Sequence, residues 1–163
     1  VFILDQRSVA NLNGVHPFLV NVANDMAKNA VIPFTFAISQ GLRTTAQQRA
    51  DVAAGKSTTM RSRHLNGMAI DFVVLVNGQP SWSWNTYYTL ADQMKAAGDR
   101  LKVPLTWGGV WDKKMADYTE PAITEAAEYI KRGGRFQDGP HLELPWDDFP
   151  GGATVAPSTA AIA

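Results

Sequence analysis

The sequence predicts an α+β domain: a small, mostly antiparallel sheet with packed helices. Two patterns carry this expectation. Stretches with apolar residues every three or four positions alternate with short stretches of period two, and the chain has neither a glycine-rich phosphate loop nor a regular βαβ spacing. Its size agrees. The 163 residues, 45% hydrophobic and 18% charged, suit one domain of about 150 residues with a core that needs no disulfides. Residues 1–149 are assigned to that domain. Residues 150–163 are uncharged, rich in Gly, Ala, Ser and Thr, and read as a flexible or surface-hugging tail.

The elements follow in order. Phe18, Leu19, Val22 and Met26 share one face of a helix running from Pro17 to Ala30. Phe34 to Ser39 alternates large apolar with small or polar side chains, so a strand delivers Gln40 to Arg43 at its end, punctuated by Gly41. Thr45-Ala46-Gln47-Gln48 has capping-box spacing and opens a short helix over 46–54, stopped by Gly55. A polar loop leads to the β-branched run Ala69–Val76, a buried strand ending at the turn Asn77-Gly78. Asn85 is placed as cap of a helix carrying Tyr87, Leu90, Met94 and Ala97 to Gly98, and Leu101 to Trp107 as a further strand. Pro121 opens a helix with Ile123, Ala127 and Ile130 on one face and Lys131-Arg132-Gly133-Gly134 at its end. His141 begins a short alternating strand.

Composition narrows the function. With 15 Lys+Arg against 15 Asp+Glu the formal charge is zero, so no overall basic field draws the chain to nucleic acid. No apolar run approaches the length of a membrane span, and the chain is expected to be soluble, with no stable membrane insertion. Position 1 is Val, which implies a processed or trimmed start. The absence of cysteine excludes thiol nucleophiles and thiolate metal sites, leaving imidazole and carboxylate as the ligands for any metal. Three histidines are present.

Two clusters stand out. In Ser62-Arg63-His64-Leu65-Asn66-Gly67-Met68-Ala69-Ile70-Asp71, His64 lies in a polar loop and Asp71 inside an apolar strand. A buried carboxylate there needs a cation or several donors, unless the strand is an edge and Asp71 simply faces water. In Asp138-Gly139-Pro140-His141-Leu142-Glu143, His141 serves equally as a hydrogen-bonded structural histidine when taken alone. Together, two imidazoles and one carboxylate leave the fourth position on zinc for water, with Asp138 able to take its proton.

The Ser-x-His-x-x-Gly-x-Ala-x-Asp pattern from Ser62 to Asp71, followed by Asp138-x-x-His141, resembles the zinc D-alanyl-D-alanine carboxypeptidase and L-alanyl-D-glutamate endopeptidase family, especially single-domain phage endolysins. The resemblance implies the zinc peptidase fold shared with hedgehog-like domains. It also implies zinc ligands His64, Asp71 and His141, and Asp138 as general base. Many relatives have Glu at the last of these positions. Ser39-Gln40-Gly41-Leu42-Arg43-Thr44 resembles the family's upstream Gly-x-Arg element, making Arg43 a candidate to help stabilise the oxyanion. Trp107-Gly108-Gly109-Val110-Trp111 resembles the endolysins' tryptophan element, with Val110 where an acidic residue is common. Residues 112–136 then read as an insertion, either a lid or scaffold.

The resemblance implies one catalytic peptidase domain that hydrolyses the L-alanyl-D-glutamate bond of the peptidoglycan stem peptide. The alternatives are D-Ala-D-Ala carboxypeptidase activity and a non-catalytic zinc module binding cell wall or protein. A monomer is expected, made in the bacterial host cytoplasm and acting on the wall after membrane permeabilisation. Among the other signals, His16 is read as a surface or capping histidine, Gln47 as structural and Ser62 as a loop hydrogen bonder. Glu143 shares a strand side with His141 and is a candidate to orient it. Arg61, Arg63, Lys113 and Lys114 form basic pairs able to meet peptide carboxylates, though such pairs are usually solvated surface. Trp107 or Trp111 is a candidate to line the cleft.

Overall fold

A computed structural model describes residues 1–150, so the expected tail, apart from Pro150, lies outside the described residues. Five helices, α1 (Gln6–Asn11), α2 (Pro17–Asn29), α3 (Thr45–Ala53), α4 (Trp84–Leu101) and α5 (Ala122–Lys131), accompany five strands. These are β1 (Thr35–Gln40), β2 (Ala69–Val76), β3 (Gln79–Ser81), β4 (Thr106–Trp107) and β5 (His141–Glu143), and single 3-10 turns lie at Arg63–Asn66 and Met115–Asp117. The α+β expectation holds, and every strand pair is antiparallel.

The sheet is built around β2. Its order is β1-β2-β5-β4, with β3 pairing β2 as a hairpin through Asn77-Gly78, both at positive φ. Asp71 pairs with Gln40 on one side and His141 on the other, while Val74 pairs with Phe36 and Ser81. β5 and β3 therefore follow one another along the edge of β2 opposite β1. Period two then separates two faces. Ile70, Phe72 and Val74 are fully buried in a core that includes Leu19, Met26, Leu90 and Met94 from the helices. Asp71, Val73 and Leu75 point to the other face and are only partly buried.

Several expectations shift. α1 carries no readable periodicity because only Ser8 of its six residues is buried; Asp5 caps it, accepting from the Ser8 amide at 2.7 Å. The capping box of α3 is Thr44 with Gln47, one residue earlier than expected, and this releases Gln48 to a buried position. α4 begins at Trp84 after Ser83 rather than at a capping Asn85, and it runs through Gly98 to Leu101. Gly98 is a packing glycine and not a stop: a Cβ there would lie 2.8 Å from Leu105 Cδ1 and 3.0 Å from the Val103 carbonyl. The strand expected from Leu101 is consequently only Thr106–Trp107.

α5 turns its other side to the core. Ile123, Ala127 and Ile130 are exposed, whereas Ala122, Glu125, Ala126 and Tyr129 are buried. Glu125 is affordable there because Lys113 Nζ donates to it at 2.8 Å and the amides of Thr119 and Glu120 donate at 2.9 and 3.2 Å. Hydrophobic periodicity places such a carboxylate outward. The 112–136 segment packs through α5 on α4, and its Tyr129, Arg135 and Phe136 also line the cleft described below. Among the described residues no helix is long and apolar enough to cross a membrane.

Candidate active site

Sheet register assembles the first half of the site. Gln40, Asp71 and His141 are cross-strand partners in one row through β1, β2 and β5, and directly opposed residues share a face. A register shift between Ile38 and Gln40 brings Gln40, rather than Ser39, level with Asp71. Asp71 accordingly sits on a central strand, not on an edge. Its Oδ1 lies 3.2 Å from His141 Nδ1.

The 3-10 turn supplies the second imidazole. Ser62 Oγ accepts from the His64 amide at 3.3 Å, and Gly67 ends the turn in the left-handed region. His64, only 2% exposed, places Nε2 3.2 Å from the same Asp71 Oδ1. Its Nδ1 donates to the Gly41 carbonyl at 2.8 Å, which fixes the tautomer and leaves the Nε2 lone pair facing inward. The Arg43 amide donates to the His64 carbonyl at 2.9 Å, tying the β1–α3 connection to this turn.

His141 is held differently. Its Nε2 donates to Glu143 Oε2 at 3.1 Å, so Nδ1 is the nitrogen turned toward Asp71. Glu143 thereby fulfils the orienting role expected from its alternate spacing. The two imidazole rings stand edge to face at 5.0 Å, and Trp111 lies against His141 at 5.1 Å. Trp111 lines the cleft; Trp107 is fully buried and donates from Nε1 to the Gly139 carbonyl at 2.7 Å.

The His64, Asp71 and His141 ligand atoms all lie within 4.8 Å of one another. A tetrahedral ion with bonds of about 2.0–2.1 Å spaces its ligand atoms ~3.3 Å apart. Both 3.2 Å separations match that spacing, and two imidazole lone pairs facing a carboxylate call for a cation between them. The group can hold a metal ion. Without one, a proton takes its place. Burial opposes the charge on His141, but Asp71 and Glu143 push its pKa up to about 10. Burial likewise opposes the charge on Asp71, and the two imidazoles nevertheless hold it well below the usual carboxylate range.

Asp138 faces the same cleft of about 750 Å³. The turn carrying it is pinned by the tryptophan element: its amide donates to the Gly108 carbonyl at 2.8 Å, and a Cβ on Gly108 would collide with the Asp138 carbonyl. Desolvation in the cleft and then the neighbouring Asp71 charge raise its carboxyl above the usual range.

Arg43 also lines the cleft, buried and heavily engaged. It donates from Nη1 to Gln48 Oε1 at 2.6 Å and from Nη2 to Gln40 Oε1 at 3.2 Å, with Asp51 at 3.3 Å and Asp71 Oδ2 at 3.8 Å. Sequence reasoning missed Gln40, Gln48 and Asp51. The Thr44 capping box is the signal that places Gln48 inward. His16 caps α2, accepting at Nδ1 from the Phe18 amide at 3.1 Å, outside the metal group as expected.

Comparisons with known proteins give the family. The L-alanyl-D-glutamate peptidase of Escherichia phage T5 is 32% identical over 147 residues, covering 88% of this chain and 98% of its own length. That of Listeria phage A118 is 36% identical over 74 residues, covering 45% of this chain and 25% of its own. The crystal structure of the Serratia marcescens L-Ala D-Glu endopeptidase ChiX superposes with a TM-score of 0.70 at 35% identity, over 91% of this chain and 95% of that one. A family profile described as phage L-alanyl-D-glutamate peptidase matches residues 1–145, and the chain belongs to that family.

Proposed function

We propose that this chain is a zinc-dependent peptidoglycan hydrolase that cleaves the L-alanyl-D-glutamate bond of the stem peptide by attack of water. The observation that carries the reading is the convergence of His64 Nε2, Asp71 Oδ1 and His141 Nδ1 in a cleft that also holds Asp138. Two nitrogens, each 3.2 Å from one carboxylate oxygen, make a donor set that suits zinc, and three protein ligands are the number found in catalytic rather than structural sites. Bound there, zinc supplies Lewis acidity, lowering the pKa of water and polarising the scissile carbonyl.

The chain's own residues do the rest. Asp138 accepts the proton of the attacking water and returns it to the leaving amine; its raised pKa suits a group that must take a proton and then give it up. Glu143 and the Gly41 carbonyl fix the imidazole tautomers. Arg43 brings positive charge to the wall of the cleft, where it offsets negative charge developing on the carbonyl oxygen. The relatives' named activity and the family match over residues 1–145 support reading residues 1–149 as one catalytic unit. Such an enzyme, made in the host cytoplasm, reaches the wall once the membrane is permeabilised.

Mass spectrometry of the products from purified peptidoglycan tests this reading. Peptides with a new D-glutamate N-terminus are expected. Release of free D-alanine makes it a carboxypeptidase instead, and zinc binding without any cleavage makes it a binding module.

A further inference from the structure

The basic pairs singled out in the sequence meet different fates. Lys113 pairs with buried Glu125 at 2.8 Å, and Lys114 with Asp147 and Asp148 at 2.9 and 2.7 Å. Arg63 is buried, donating from Nε and Nη2 to the Leu144 carbonyl at 3.2 and 2.9 Å and from Nη2 to the Phe149 carbonyl at 3.0 Å. Arg61 alone stays exposed, and no described carboxylate lies within 4 Å of it.

Its position is organised nonetheless. The Arg61 and Arg63 guanidiniums both lie over the Trp146 ring, at 5.3 and 4.3 Å from its centroid. Two cations sharing one indole repel each other. The buried Nη1 of Arg63 also has no hydrogen-bond partner. Arg61, Arg63 and Trp146 line the same cleft as the metal group, joined by exposed Lys56 and Arg135, neither of which has a described carboxylate partner. The lining of this cleft sets Arg43, Lys56, Arg61, Arg63 and Arg135 against Asp71, Asp138 and Glu143, an excess of positive charge in a chain of zero formal charge. What is missing is an anion.

Resting on the proposed function, we infer that Arg61, stacked on Trp146 beside Arg63, forms a carboxylate subsite that reads the free α-carboxylate of the stem-peptide glutamate. In the stem peptide this glutamate is linked onward through its side-chain carboxyl, so its α-carboxylate is a free anion on the same Cα that carries the scissile nitrogen. A guanidinium matches a carboxylate in charge and in its planar, two-donor shape. Lys56 and Arg135 add attraction without fixed geometry.

The test compares two synthetic peptides, L-Ala–γ-D-Glu–L-Lys and its α-carboxamide analogue, together with purified sacculi, on wild type, Arg61→Gln and Arg61→Lys. Arg7→Gln, an exposed cation on α1, controls for net charge. Wild type should cleave the acid about tenfold faster in kcat/KM than the amide, the scale of one hydrogen bond to a charged group. Arg61→Gln should lose that factor on the acid alone and treat the two peptides alike; Arg61→Lys should recover part of it, and Arg7→Gln should match wild type. Equal wild-type rates on both peptides, or an equal loss by Arg61→Gln on both, overturns the subsite while the peptidase stands. Failure of wild type to cleave either peptide or sacculi overturns the functional reading and the subsite with it.

Discussion

The two imidazoles of the metal group face one Asp71 oxygen at the same 3.2 Å but are supported by unlike partners. Behind His64 is the carbonyl of Gly41, a neutral group that sets the ring's tautomer and angle. His141 has the Glu143 carboxylate behind it, which does the same and also raises the basicity of the ring. The supports differ because their origins differ. His64 sits on a short turn stitched to the β1–α3 connection, where backbone is what lies near. His141 and Glu143 are alternate residues of one strand, so a side chain two positions on reaches the ring. One imidazole is thus placed by chain geometry, the other by electrostatics, and the two should respond differently to substitution and to pH.

The largest effect is expected from Asp71, which both rings share. Asp71→Ala should abolish stoichiometric metal uptake, measurable by elemental analysis, because it leaves two imidazoles without their common anion. Asp138→Asn should separate binding from chemistry. Metal content should stay at the wild-type level while kcat falls by about 10²–10⁴-fold, the range for a lost general base. A parallel fall in metal content would instead make Asp138 a ligand.

Glu143→Gln addresses the comparison itself. It keeps a hydrogen-bond acceptor for His141 and removes the charge, and zinc affinity by competition with a chelator should drop about 10–100-fold. An unchanged affinity would reduce Glu143 to the same role as the Gly41 carbonyl.

The smallest effect is in pH. In the metal-free protein the His141 pKa rises from 6.5 to about 10, so its stabilising contribution is complete below 6.5 and is lost as pH rises toward 10. Asp71 has the opposite sign: its pKa is lowered, so its contribution is present above its ordinary value of 3.8 and lost as pH falls below that. Metal-free stability from these two groups should therefore be highest between about pH 4 and 6.5. Metal uptake at neutral pH should release a proton, and thermal melts with zinc should lose the decline toward pH 10.

Much of this was legible in the sequence, and the rest was hidden for physical reasons. β2 was readable to the residue because a run of β-branched side chains ends at an Asn-Gly turn. The grouping of His64, Asp71 and His141 is readable because Asp71 is out of place in that run and the two motifs have characteristic spacing. Glu143 followed from strand alternation. Gln48 was not readable once the cap of α3 was set at Thr45, since a one-residue slip rotates a helix by about 100°. The apolar face of α5 at Ile123 and Ile130 does not mark its buried side, because hydrophobic periodicity treats every carboxylate as solvent-facing, whereas buried Glu125 is satisfied by Lys113 and two amides. Gly98 was taken as a stop because its reason, the closeness of Leu105, is a tertiary contact.

The most direct test of the central claim, that His64, Asp71 and His141 form one metal centre on which hydrolysis depends, is stepwise zinc return to chelated protein with activity on peptidoglycan read at each step. Activity should be absent in the metal-free protein, rise linearly with zinc and saturate at one equivalent per chain. Cleavage that persists without metal, or that stays absent at one equivalent, would contradict it.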